Sequence, residues 1–358
     1  MIPVMIPGRL IRPLAVLLAV ACAGAALTAC GDSGDGGSPA TAETEGSPRL
    51  SAQTKVTLVL DFQPNAVHAG IYRALAAGYY HDNNIELRIV QPTSTADTIK
   101  LIDAGKADFG IADAIDVAGQ IEAGRPAKGI MAVVQRPLGG LITLAKDGIR
   151  SPAQLEGRKV GVTGVPSDDA VLNTIVADDG GDPDAVERVT IGFNGVQNLT
   201  TGKIAGFTGF AAADATQIEV QTGEQTRTFA LDEHGGPTYP GLIVFAAEDR
   251  IRDEPDLARA FVDATVRGYQ DTIDDPERSL DDLLAANPAL DRKLIAAQLD
   301  AYVPLFQAHA PRFGIFQPRA VASLSRFLVD NDLASGAIPV ARFATNAFLP
   351  RDGADGGP

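Results

Sequence analysis

The chain contains no tryptophan, and of its 358 residues only two are cysteine and four are histidine. Both cysteines, Cys22 and Cys30, fall within the first thirty residues. The remainder therefore has no disulfide, no thiolate nucleophile and no thiolate-held metal. His68, His81, His234 and His309 are scattered without ligand spacing, so no metal site is expected. Positive charge is also scarce: 30 Lys and Arg stand against 45 Asp and Glu, a net charge of −15. That balance argues against nucleic acid and against electrostatic capture by anionic lipid. There is no Ser/His/Asp order in a nucleophile context and no phosphate loop, so neither catalytic residues nor a cofactor are expected.

What is present begins with a targeting pattern. Arg9 and Arg12 precede an apolar stretch from Leu14 to Leu27, which ends in Leu27-Thr28-Ala29-Cys30. A positive region, a short apolar run and small residues before a cut make a secretory signal. The run is too short for the roughly 20 residues of a membrane span. Leu-Thr-Ala-Cys resembles the lipobox of bacterial lipoproteins, which implies cleavage after residue 29 and lipid attachment to Cys30, the anchor to the extracytoplasmic face of the cell membrane. Gly31 to about Ala52 is rich in Gly, Ser, Asp, Glu, Thr and Pro and reads as a flexible tether, residues 30–52.

From Lys55 onward short β-like runs alternate with helical ones, predicting an α/β fold with mostly parallel sheets. Predicted strands include Val56–Leu60, Ile85–Val90, Asp108–Ile111, Ile130–Val134, Leu141–Ala145, Lys159–Val162, Val189–Ile191, Ile204–Phe207 and Leu242–Ala246. After Glu254 the pattern is helical for nearly ninety residues. Ala104-Gly105-Lys106-Ala107-Asp108 and Thr201-Gly202-Lys203-Ile204-Ala205 echo one another at a spacing that fits two similar lobes as well as a chance recurrence.

Asp61-Phe62-Gln63-Pro64-Asn65, followed by His68, Gly70-Ile71-Tyr72 and Gly78-Tyr79-Tyr80, resembles the opening of the thiamine-pyrimidine family of solute-binding proteins. Gly148-Ile149-Arg150-Ser151-Pro152 and the closing Thr345-Asn346-Ala347-Phe348-Leu349-Pro350 match as well, so the resemblance spans Lys55 to Pro350. It implies a type II periplasmic-binding-protein fold: two α/β lobes joined by two crossing strands, with a ligand cleft between them. Crossings near Leu141–Ala145 and Gly241–Phe245 divide the body into residues 53–143 (lobe one), 144–242 (lobe two) and 243–350 (the helical return to lobe one), with 351–358 a disordered tail. A monomer delivering its ligand to the permease and ATPase of an ABC importer is the implied partnership. Two departures stand out: Phe62 replaces the tryptophan usual in bacterial relatives, and lobe two reads Ala211-Ala212-Ala213-Asp214 where an aromatic and acidic cluster is usual.

Ligands in open α/β sheets bind beyond the carboxyl ends of strands, which selects the candidate contacts. Phe62 is placed to stack on a flat ring. Asp61 and Asn65 are placed either to pair with an aminopyrimidine or to cap the following helix; His68 belongs to the same motif. Asp113 follows the strand Asp108–Ile111 and is expected to face the cleft, whereas Asp116 is expected on a helix surface. Gln135 ends another strand, next to Arg136, which is expected to pair with an acidic neighbour. In lobe two, Ser167, Asn194, Phe210 and Tyr239 are the candidates, with Asp168 and Asp169 opposing an anion at the helix start.

The expected function is capture of a thiamine-precursor pyrimidine, of the hydroxymethyl or formylamino type, or a similar heteroaromatic. A sulfonate, taurine or nitrate receptor is the alternative within the binding class. A pyrimidine synthase is the enzymatic one. The fungal enzyme of that resemblance uses a lysine, a histidine and a cysteine-rich run, but Ala112 and Asp116 stand at the corresponding positions and the body lacks cysteine.

Overall fold

The computed structural model describes residues 48–351; the leader, Cys30, most of the tether and residues 352–358 lie outside the described residues. The end of the expected tether belongs to the body. Leu50 N donates to Asn83 O at 3.2 Å, and the Asn84 amide donates to Leu50 O.

Ten strands are described: β1 (Thr54–Val59), β2 (Ile85–Val90), β3 (Phe109–Asp113), β4 (Ala127–Val134), β5 (Gly139–Leu144), β6 (Lys159–Val162), β7 (Glu187–Thr190), β8 (Gly206–Phe210), β9 (Thr226–Ala230) and β10 (Leu242–Ala247). They form two five-stranded sheets of order β2-β1-β3-β10-β4 and β7-β6-β8-β5-β9. Central strands such as β3 and β10 are nearly continuous apolar runs because helices cover both faces. Several helices begin with proline at the first turn (Pro166, Pro255, Pro276, Pro318), where its missing N–H leaves no hydrogen bond unmade.

The sheets are mostly parallel with one reversed strand in each. β10 runs antiparallel to β3 and β4, and β5 antiparallel to β8 and β9. These two strands are the ones entered from the other lobe. A chain crossing over arrives at the edge where the parallel strands end, so it must run back against them. The crossings fall earlier than the sequence patterns place them: Leu141–Leu144 lies inside the second sheet, and the chain passes between lobes at residues 135–138 and again before Gly241. The first part of lobe one therefore ends near Val134 instead of residue 143. The crossing segments run in contact. A Cβ on Gly241 would meet Arg136 O at 2.4 Å, so only glycine fits there.

The cleft loop after β1 is held from behind. Helix Ala69–Ala76 packs closely on helix Pro255–Asp274, where a Cβ on Gly268 would lie 2.1 Å from Gly70 O and one on Gly70 would lie 2.3 Å from the Tyr269 ring. The Tyr269 hydroxyl donates to Val67 O at 2.8 Å, tying that helix pair to the loop bearing the candidate ligand contacts.

Candidate functional site

A cavity of about 100 Å³ lies where the carboxyl ends of the parallel strands of both sheets meet the starts of β5 and β10. Its lining includes five carboxylates, Asp61, Asp113, Asp116, Asp168 and Asp214, and no Lys, Arg or His.

Asp61 sits two residues beyond β1 and accepts from His68 Nε2 at 2.8 Å. His68 Nδ1 in turn accepts from Asn65 N at 3.2 Å, which leaves Nε2 as the donor toward Asp61. His68 is fully buried behind the loop and does not line the cavity. It is a positioning residue, not the ligand contact expected of it. Asn65 lines the cavity, but its side chain is committed to the turn: Oδ1 accepts from Val67 N at 2.9 Å and Nδ2 donates to Gln63 O at 3.1 Å. Of its two expected roles, capping is the one these bonds serve.

Asp113 caps helix Ala114–Glu122, accepting from Ile115 N at 2.8 Å. Burial, then the charge of Asp116, pushes its carboxyl well above the usual carboxylate range. Asp116 is not on a solvent face. It is buried, and it accepts from Ser167 N at 3.3 Å and Ser167 Oγ at 3.1 Å across the cleft. The second lobe covers that helix end, a tertiary contact the local sequence does not reveal. Burial and the charge of Asp168 raise Asp116 to about 7.

In lobe two, Asp168 is saturated by donors: Thr163 N (2.7 Å), Thr163 Oγ1 (2.6 Å), Gly164 N (3.1 Å) and Thr208 Oγ1 (2.6 Å). Asp169 points away and pairs with Arg188 at 3.0 Å. Asp214 accepts from Phe210 N at 2.8 Å, and burial raises it to about 6. Asp214 is a site residue without a strong local signal, since it stands in a turn of alanines, Ala211-Ala212-Ala213-Asp214.

Phe62 and Phe210 line the cavity from opposite lobes. Phe62 also meets Phe193 edge-on, with ring centroids 4.3 Å apart, and that contact joins the loop after β1 to the loop after β7. Sequence reasoning chose the neighbouring Asn194, whose exposed side chain turns back to Ile191 O at 3.3 Å and is not in the cavity wall. The available signal was an aromatic residue between two glycines, Gly192-Phe193-Asn194-Gly195. Two further expectations are corrected. Gln135 is buried and donates to Ile315 O at 3.0 Å, holding the C-terminal segment. Tyr239 is fully buried against Phe327 of helix Pro318–Asp330 and is not part of the cavity wall. Arg136 pairs with Asp232 at 2.6 Å. Tyr302, far in sequence from every strand end, reaches the cavity wall from helix Arg292–Gln307.

Comparison with known proteins places this geometry in a lineage. The family described as NMT1/THI5 like matches residues 65–279. A formylaminopyrimidine-binding protein of Halalkalibacterium halodurans is 28% identical over 245 residues, covering 68% of this chain and 74% of that protein. A 4-amino-5-hydroxymethyl-2-methylpyrimidine phosphate synthase of Legionella pneumophila is 26% identical over 302 residues, covering 84% of this chain and 94% of the enzyme. Among solved structures, the periplasmic aliphatic sulphonate binding protein SsuA from Escherichia coli superposes with a TM-score of 0.62 at 13% identity, covering 80% of this chain and 91% of that one. With the family matched over more than half its length and two α/β sheets closing on one cavity, the chain belongs to the NMT1/THI5-like family and has the two-lobed type II binding-protein fold.

Proposed function

We propose that this protein is an extracytoplasmic solute receptor that captures a thiamine-precursor aminopyrimidine and passes it to an ABC importer, held at the membrane by lipid on Cys30. The observation that carries the ligand class is the charge of the cleft: five aspartates and no cationic side chain among its lining residues. A carboxylate pairs well with the adjacent ring and exocyclic nitrogens of an aminopyrimidine. Phe62 and Phe210 supply apolar faces for a flat ring. The cavity's small volume suits one ring and its substituents, not a peptide or an oligonucleotide.

The same charge disfavours the sulfonate and nitrate alternative, since an anion would enter a field of carboxylates with no counter-charge. The synthase relative keeps an enzymatic reading in view. Against it stand Ala112 and Asp116 at the reactive positions of the resemblance and the cysteine-free body. Titration of hydroxymethyl and formylamino aminopyrimidines into the chain and its Phe62→Ala variant tests the proposal. Loss of a stacked ring, worth about 1.4 kcal/mol, weakens binding about tenfold. Binding that Phe62→Ala leaves unchanged would remove Phe62 from the site.

A further inference from the structure

We propose that the cleft takes its ligand as a cation, either a protonated aminopyrimidine or another compact amidinium-like base, with Asp61, Asp214 and the Tyr302 hydroxyl as its polar contacts. This deepens the receptor reading and rests on it.

Three carboxylate oxygens in the cavity wall lack a donor. Among the described residues, His68 occupies only Oδ1 of Asp61, Ile115 N only Oδ1 of Asp113, and Phe210 N only Oδ2 of Asp214. By contrast, Asp116 and Asp168 have both oxygens engaged. An independent feature of the same wall is Tyr302, whose hydroxyl is fully buried and has no hydrogen-bond partner. Burial and the charges of Asp214 and Asp61 push that hydroxyl well above its ordinary range, so it stays protonated beside both carboxylates. A buried polar group left unpaired costs about 1–3 kcal/mol, which a ligand recovers by pairing with it.

The charged and titratable groups around the cleft are Asp61, Asp113, Asp116, Asp168 and Asp214, with the Tyr302 hydroxyl beside Asp61 and Asp214, the Tyr239 hydroxyl buried behind Asp113 and Asp116, and the His68 imidazole donating to Asp61 from Nε2 while its Nδ1 accepts from Asn65 N. All bear negative charge or none. No group of three or more metal-ligating side chains among the described residues is arranged to hold an ion. Protons held by the raised carboxyls relieve part of the repulsion, and an organic cation offsets what remains among the ionised ones. An amidinium presents two parallel N–H donors, the geometry a carboxylate accepts best. A neutral ring leaves the repulsion in place, and an anion adds to it.

The test uses an isosteric pair, benzamidine (cation) and benzamide (neutral), titrated calorimetrically into the full chain at pH 8. A second arm measures the ring-nitrogen NMR shift of a bound ¹⁵N-labelled aminopyrimidine. We expect benzamidine to bind at least about tenfold tighter than benzamide, as charge-assisted hydrogen bonds require. Asp214→Asn and Tyr302→Phe, each checked for an intact thermal transition, both weaken benzamidine, and Asp214→Asn weakens it by a larger factor than benzamide, because only the cation loses a charge-assisted bond. The labelled ring nitrogen is expected to be protonated when bound. Equal affinity for the pair, no binding of benzamidine, or an unprotonated bound ring nitrogen overturns the cation inference, and the last leaves the pyrimidine reading intact. Binding of benzamidine without any aminopyrimidine supports the cation inference and removes the pyrimidine reading.

Discussion

Replacing Asp116 by Asn removes a charge that the cleft holds only at a cost. The carboxyl titrates at about 7 instead of near its ordinary value of 3.8, because burial and the neighbouring Asp168 both disfavour its ionised form. At pH 8 the folded protein must hold that ion, a cost of about 4 kcal/mol relative to the unfolded chain. The sign follows from proton binding. The native state binds the proton more tightly, so the group's contribution is fully present below the unfolded carboxylate pKa and is lost as pH rises through about 7. Asn imitates the protonated acid and can still accept from Ser167. Asp116→Asn is therefore neutral to stability near pH 4 and stabilising at pH 8, by about 1–3 kcal/mol once the site's relaxation is allowed for. With no tryptophan in the chain, urea unfolding at both pH values is best followed by the helical circular-dichroism signal. A variant equally stable relative to the parent at both pH values, or less stable at pH 8, would refute the buried-charge reasoning.

Other predictions concern the supports of the site. His68→Ala strips Asp61 of its buried donor and leaves a void, costing about 2–4 kcal/mol in urea unfolding; a cost under half that would mean the loop holds Asp61 without it. Gly268→Ala forces a methyl against Gly70 O and destabilises by about 1–3 kcal/mol despite the better helix propensity of alanine, as a thermal melt would show. Phe193→Ala removes an aromatic pair worth about 0.5–1.5 kcal/mol across the cleft and favours the open ligand-free form. Small-angle scattering should register a larger radius of gyration; an unchanged radius argues that the contact does not hold the lobes.

Local signals carried the fold a long way. Ile85–Val90 and Lys159–Val162 are strands at the predicted bounds, because an apolar run bounded by turn residues is a local property. β9 was invisible: Thr226–Ala230 has one buried phenylalanine among polar residues, and its pairing with β5 supplies what its composition does not. The antiparallel direction of β5 and β10 depends on where the chain crosses, which no short window contains. At the site, Asp61, Phe62 and Asp113 were legible from their places at or just past strand ends, and Phe210 as an aromatic wall residue. Asp116 and Tyr239 were not, since one is buried by Ser167 from the other lobe and the other by Phe327 from a helix about ninety residues away in sequence. Phe193 was missed because polarity was used as the guide, whereas the residue that spans the cleft there is aromatic.

The most direct measurement is a calorimetric comparison on one preparation of hydroxymethyl and formylamino aminopyrimidines against taurine, a short alkanesulfonate and nitrate. An acidic, phenylalanine-walled cleft predicts binding of an aminopyrimidine and none of the anions. Binding of a sulfonate or nitrate with the pyrimidines silent would contradict the assignment of the five aspartates as the groups that select the ligand.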